Sequence, residues 1–262
     1  MKQFVKNIVR RLGYEVLTYS YASELLPKHH LQKIFDVAGI DCVLDVGANL
    51  GQFRDFLRDA VGYRGWILSF EPIAEHVDIL RKRAEADPRW KIFDFALGDC
   101  NATAVINVTA GGPLSSFLEP LSALQTSLGP AMHVRRGETV QIKTLDSIRS
   151  EIEEMCSLYT TFLKLDTQGY DLKVVYGALD ALRDIPALQT ELSFLPIYKE
   201  MPSFQEVLQH LQQLGFDVTG LFPVSRDGLL RAREFDCVMI RRDLRDRKTN
   251  DRPATPADAW TR

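Results

Sequence analysis

Cysteine is scarce in this chain: Cys42, Cys100, Cys156 and Cys237 are the only four in 262 residues, and no two form a C-x-x-C pair. Zinc sites and small disulfide scaffolds show closer, patterned spacing. Four reduced thiols in a cytoplasmic protein are therefore expected. No apolar stretch approaches the ~20 residues of a membrane span. The first eleven residues carry Lys2, Lys6, Arg10 and Arg11 without the apolar run and cleavage site of a signal peptide. They read as a basic amphipathic helix packed on the parent domain. The formal net charge is only -3, which gives no general reason to expect a nucleic-acid partner. Two nucleotide signatures are also missing. There is no G-x-G-x-x-G loop and no G-K-[ST] ending, which argues against a dinucleotide-binding oxidoreductase and a P-loop enzyme.

What is present is an alternation of strands and helices. The apolar run Cys42-Val43-Leu44-Asp45-Val46 ends in a glycine loop, and Phe53, Phe56, Leu57 and Ala60 then recur at helical spacing. Further strands are expected at 66–70, 91–95, 162–166 and 187–192, with helices over 74–86, 145–155, 172–182 and 204–214 between or after them. Strands at 102–109 and 140–143 flank a Gly-, Pro- and Ser-rich insert over 111–137, a length that suggests an acceptor pocket wall or a lid. Segments 216–222 and 237–241 close the pattern as an antiparallel pair. This order predicts an α/β fold, a doubly wound and mostly parallel sheet of seven strands with an antiparallel last strand. Residues 1–40 read as a helical extension with a break near Pro27, 41–243 as the main domain, and 244–262 as a flexible tail.

Ligands bind such sheets outside the carboxyl ends of the strands. The first loop, Gly47-Ala48-Asn49-Leu50-Gly51, follows Asp45 and delivers free N–H groups at a helix start. A carboxylate at that entrance suits the cationic amino-acid end of S-adenosylmethionine and sits poorly beside a pyrophosphate. Glu71, at the end of the second strand, can accept hydrogen bonds from both ribose hydroxyls.

Four segments occur in order: Asp45-Val46-Gly47-Ala48-Asn49-Leu50-Gly51-Gln52-Phe53, Phe70-Glu71-Pro72, Ala96-Leu97-Gly98-Asp99 and Lys164-Leu165-Asp166-Thr167-Gln168-Gly169-Tyr170-Asp171. Together they resemble the successive motifs of the FkbM-type methyltransferases, over about 43–240. The resemblance implies a Rossmann-like class I methyltransferase fold and S-adenosylmethionine as donor. It also implies O-methylation of a hydroxyl on a sugar, glycan or secondary metabolite. By that likeness Asp45, Gly47, Ala48, Asn49, Gly51 and Phe53 line the methionine and loop side, Glu71 and Pro72 the ribose, and Ala96, Leu97 and Asp99 the adenine. The fourth motif departs from the family, which commonly has Val-Glu-Gly where this chain has Thr167-Gln168-Gly169. Gln168 puts an amide in place of a carboxylate.

Methyl transfer to a hydroxyl asks the enzyme to align the nucleophile, exclude water and take a proton. Asp166 is the leading candidate base, with Glu191 and His133 as further catalytic candidates. Asp166, Glu191 and Asp171 could alternatively hold a divalent cation, but no metal site is expected. The rival readings are a non-catalytic S-adenosylmethionine-binding module, an NAD-dependent oxidoreductase, and a methyltransferase acting on protein or nucleic acid.

Overall fold

The computed structural model describes residues 9–14, 26–121 and 129–244. Most of the expected extension, part of the insert and nearly all of the tail lie outside the described residues. The elements run α1 (Pro27–Ala38), β1 (Cys42–Val46), α2 (Gln52–Asp55, continued by a wider π-type turn over Phe56–Val61), β2 (Trp66–Phe70), α3 (Ala74–Ala84), β3 (Trp90–Phe93), β4 (Ala96–Leu97), β5 (Ala102–Thr109), β6 (Val134–Lys143), α4 (Arg149–Glu153), β7 (Thr161–Leu165), α5 (Asp171–Tyr176), β8 (Ala187–Ser193), α6 (Phe204–Gln213), β9 (Phe216–Arg226) and β10 (Ala232–Arg241).

Seven strands form one sheet in the order β3-β2-β1-β7-β8-β10-β9. The first five are parallel, and β10 runs antiparallel to both β8 and β9. The strand order reverses at β1 and β7, which places the switch point between them. β1 and β7 are buried along their whole length, as a parallel sheet covered on both faces requires. Alternate side chains serve opposite cores. Cys42, Leu44 and Val46 join Leu163 and Leu165 on one face, while Val43 joins Phe162 and Ile67 on the other.

The second face is closed by α1. Its Leu31, Ile34, Phe35 and Ala38 are buried at helical spacing. Pro27 does not break this segment but starts it: proline is suited to the first helical turn, where its missing N–H has no partner in any case. Gly39 stops the helix in the left-handed conformation, with φ 68°. On the opposite face α6 begins with a reciprocal capping box between Ser203 and Glu206.

Three expectations about the middle of the chain change. β6 begins at Val134 rather than 140, so the end of the expected insert is already paired with β5. The helix expected over 145–155 shortens to α4 behind a single 3₁₀ turn. β4, β6 and β5 make a second, three-stranded sheet. Its Ile106, Val108 and Val140 pack with Ile73, setting that sheet beside the end of β2. The described part of the insert is held there too, by the mutual backbone bonds of Asn107 and Ser116.

Candidate active site

The loop after β1 turns over the end of β7. Gly47 and Gly51 have φ 79° and 87°, and Asn49 between them has φ 49°. Asparagine tolerates that left-handed region better than most side chains. A Cβ at Gly47 would overlap the carbonyl oxygen of Asp166, whereas one at Gly62 (φ 80°) would meet nothing within 4 Å. Both Gly→Ala changes carry the left-handed strain of ~1–2 kcal/mol. Only Gly47→Ala adds a backbone collision. We expect it to lower the melting temperature beyond Gly62→Ala and to weaken cofactor binding at least tenfold. Equal losses in the two variants, by thermal melt and calorimetry, would remove the steric reading.

Glu71 holds the loop from the other side. Its Oε2 accepts the N–H of Asn49 at 2.8 Å and its Oε1 the N–H of Ile73 at 3.0 Å. The remaining lone pairs of this carboxylate are available to hydroxyl donors. His76 Nδ1 lies 3.4 Å from Glu71 Oε1. The adjoining cavity is lined by Gly47, Asn49, Glu71, Pro72, Ala96 and Leu97, with Phe70, Ile73, Ile106 and Phe117 completing apolar walls. A second cleft opens beside it and is lined by Ala48, Phe53, Lys164, Glu191, Glu234 and Asp236, among others. Gly47, Asn49, Pro113, Asp166 and Gln168 belong to both.

Asp166 stands in that shared wall, and Glu191 adjoins it on the side of the second cleft. The Gln168 amide donates from Nε2 to Asp166 Oδ1 at 3.0 Å and to Glu191 Oε2 at 3.1 Å. Asp166 Oδ2 lies 3.2 Å from Lys164 Nζ. Burial, then the charges of Asp166, Glu234, Asp171 and Asp236, pushes the Glu191 carboxyl well above the usual carboxylate range. Burial, then the charge of Asp166, likewise pushes Asp236 up to about 6. Lys164 is the cation in this group. Burial alone would favour its neutral form, but Asp166 and Asp45 outweigh that and hold its ammonium above its ordinary range.

The structure relocates several expected site residues. Asp45 is fully buried and lines neither cavity. In the register of β1 and β7 it sits directly opposite Lys164, its Oδ1 3.1 Å from Lys164 Nζ. Its Oδ2 accepts from Ser69 Oγ at 3.2 Å, and Ser69 Oγ accepts from the Trp90 indole N–H at 2.9 Å. Asp45 therefore adjoins the cavities only through Lys164 and the loop. Gly51 lies behind the loop against Trp90 and Arg83, where it starts α2 rather than touching the cavity. The Asp99 carboxylate is tied to Lys173 at 2.7 Å, because the turn after β4 faces α5, leaving Ala96 and Leu97 as that segment's contribution to the cavity wall. His133 is exposed at the entry to β6 and is not part of either cavity. Asp171 turns inward, accepting from the Thr167 N–H at 2.8 Å and from Thr190 Oγ1 at 2.7 Å, so both of its oxygens are engaged by Thr167 and Thr190. Among the described residues no group of three acidic, His or Cys side chains is placed to hold a metal ion. Nor is any helix among them long and apolar enough to cross a membrane.

Sequence reasoning did not single out Lys164, His76, Tyr198, Glu234 or Asp236 for the site. Lys164 carried the one signal that was available, a charge inside an otherwise apolar strand.

The family model described as "Methyltransferase FkbM domain" matches residues 45–218. No curated protein matches. Among solved structures, an rRNA methylase from Streptococcus thermophilus is similar with 13% identity and a TM-score of 0.40, covering 82% of this chain and 96% of that one. A SAM-dependent methyltransferase from Aquifex aeolicus shows 14% identity and a TM-score of 0.38, covering 90% and 98%. Magnesium protoporphyrin IX methyltransferase from Synechocystis, with bound SAM, shows 8% identity and a TM-score of 0.45, covering 92% and 96%.

Proposed function

This chain belongs to the FkbM methyltransferases, and we propose that it O-methylates a hydroxyl of a sugar, glycan or small secondary metabolite, with Asp166 as the base. The observation that carries the reading is that Asp166 and Gln168 stand in the wall common to both cavities, with Glu191 held to them from the second cleft. One cavity takes the donor and the other the acceptor.

The residues present fit S-adenosylmethionine. Gly47 and Asn49 bring the loop to the cavity wall. The side-chain oxygen of Asn49 is buried at the cavity wall without a hydrogen-bond partner. Glu71 would hold the ribose, Phe70, Ile73 and Leu97 the adenine, and the 47–49 backbone the methionine end. The bound cofactor supplies a methyl group on a sulfonium, whose leaving group is already built in. The protein's work is then alignment, exclusion of water and removal of one proton. Asp166 Oδ1 and Oδ2 are each fixed by a donor, which orients the carboxylate toward the hydroxyl it would deprotonate. Glu191, on the floor of the second cleft, would accept from or donate to a neighbouring acceptor hydroxyl. The cleft sets four acidic side chains, Asp166, Glu191, Glu234 and Asp236, against Lys164, a lining that offers no cationic face to a phosphodiester backbone. That lining supports a small hydroxylated acceptor over a nucleic acid.

Calorimetric titration with S-adenosylmethionine and S-adenosylhomocysteine, with NAD as control, tests the donor site. Saturable binding of the first two is expected, weakened by Glu71→Ala by about tenfold or more, the scale of hydrogen bonds to a charged group. A screen of hydroxylated sugars and metabolites then follows, read by S-adenosylhomocysteine release. Binding of NAD in preference to S-adenosylmethionine would sink the assignment of the cavity.

A further inference from the structure

Gln168 is built into the site more firmly than a spacer between two motif residues needs to be. It is a non-glycine residue at φ 54°, followed by Gly169 at φ 88°, and a left-handed side-chain-bearing residue persists only where its surroundings fix it. Its backbone oxygen and both ends of its side-chain amide have neighbours. The backbone oxygen accepts from Ser116 Oγ at 2.8 Å. The side-chain Oε1 faces the Tyr198 hydroxyl at 3.1 Å, and Tyr198 also reaches the Leu114 carbonyl at 2.8 Å. Nε2 gives its two hydrogens to Asp166 and Glu191. This amide orientation gives each carboxylate a donor, whereas a flipped amide would aim an oxygen at Asp166.

We propose that Gln168 is a positioning residue: its amide clamps Asp166 and Glu191 at fixed separation, so that the base and the acceptor-side carboxyl occupy one wall without a cation between them. The inference rests on the reading of Asp166 as the base, and it deepens that reading.

The charge balance shows why an amide stands here. Glu191 is faced by Asp166 and Lys164 from β7, by Asp171 from α5, by Glu234 and Asp236 from β10, and by the Tyr198 hydroxyl beyond β8. Lys164 is already shared between Asp45 and Asp166. A carboxylate at 168 would add another like charge and give up both donors. The amide supplies two donors at no charge, and each stabilises the ionised form of its partner.

The test is independent of turnover. In the full chain labelled with ¹³C at Asp and Glu carboxyls, the Glu191 resonance is assigned by its loss in Glu191→Gln and followed against pH. In Gln168→Leu, which keeps the bulk and removes the donors, the Glu191 midpoint should rise by about one pH unit or more, the size expected for losing one hydrogen bond to a charged group. In Gln168→Glu it should also rise, through the added negative charge. A residue serving only as filler would change the melting temperature and leave the midpoint alone. An unmoved midpoint in folded Gln168→Leu overturns the clamp. If Gln168→Leu fails to fold, Gln168→Asn, one methylene shorter and unable to span both carboxyls, takes its place with the same expected rise, and an unmoved midpoint there overturns the clamp equally. Failure of the reading of Asp166 as the base would show separately, as full methyltransferase activity in Asp166→Asn.

Discussion

Asp166→Asn lowers kcat by about 10²–10⁴-fold, the range for loss of a positioned general base, and leaves the fold in place. Asparagine matches the shape and removes the proton acceptor. Lys164 retains Asp45 at 3.1 Å, so the interior keeps its charge balance. KM for the donor should change much less than kcat, because the donor's contacts lie on the 47–49 loop and Glu71. The measurement is single-turnover formation of S-adenosylhomocysteine with saturating donor and acceptor, across pH 6 to 9. A variant within tenfold of the parent throughout that range would take Asp166 out of the chemistry and leave Glu191 as the candidate to examine.

The second large effect concerns stability. Lys164 is 5% exposed and Asp45 wholly buried. Their worth is not simply the attraction between them, since taking both from water costs several kcal/mol. Removing one partner is different, because it strands the other. Lys164→Met should therefore destabilise the protein by ~3–5 kcal/mol. At ~2–4 °C per kcal/mol for a chain of this size, the melting temperature falls by roughly 10 °C. The double variant Asp45→Asn, Lys164→Met should recover part of that loss, because the stranded charge is gone. Additive losses in this cycle, followed by urea unfolding, would mean that Asp45 is compensated by something other than Lys164.

The sheet was legible in the sequence because its strands are short apolar runs bounded by glycine and polar residues, and because parallel strands buried on both faces read as continuous rather than alternating. The residues that differ do so for reasons of pairing. Val134 to Gly137 carries two arginines and a glycine and has no strand pattern of its own; it is extended because β5 lies beside it. Asp45 looked like a ligand because it stands at the entrance of a glycine loop. Its real neighbour is fixed by the register that sets it opposite Lys164, and register between distant parallel strands has no local signature. The same holds for Asp236, which faces Glu191 across the β8–β10 ladder. Gln168 was visible as a departure from the family motif, but its two partners came from the ends of different strands. The loop, Glu71 and Asp166 could be pointed to because each follows directly from a strand end, and all of them line the cavity there.

The loop over the donor cavity has its floor supplied by another part of the chain. Gly47 abuts the Asp166 carbonyl, and β1 meets β7 across a separation of 119 residues, closed at its foot by Thr160 and Asp41. Closing so long a segment is entropically slow, and during synthesis it must wait until β7 has been made. A nascent chain ending before residue 160 would have the glycine motif complete in sequence and no pocket beneath it. Cofactor binding is thus a property of the closed chain, and S-adenosylmethionine can stabilise only molecules in which both halves of the sheet have already met.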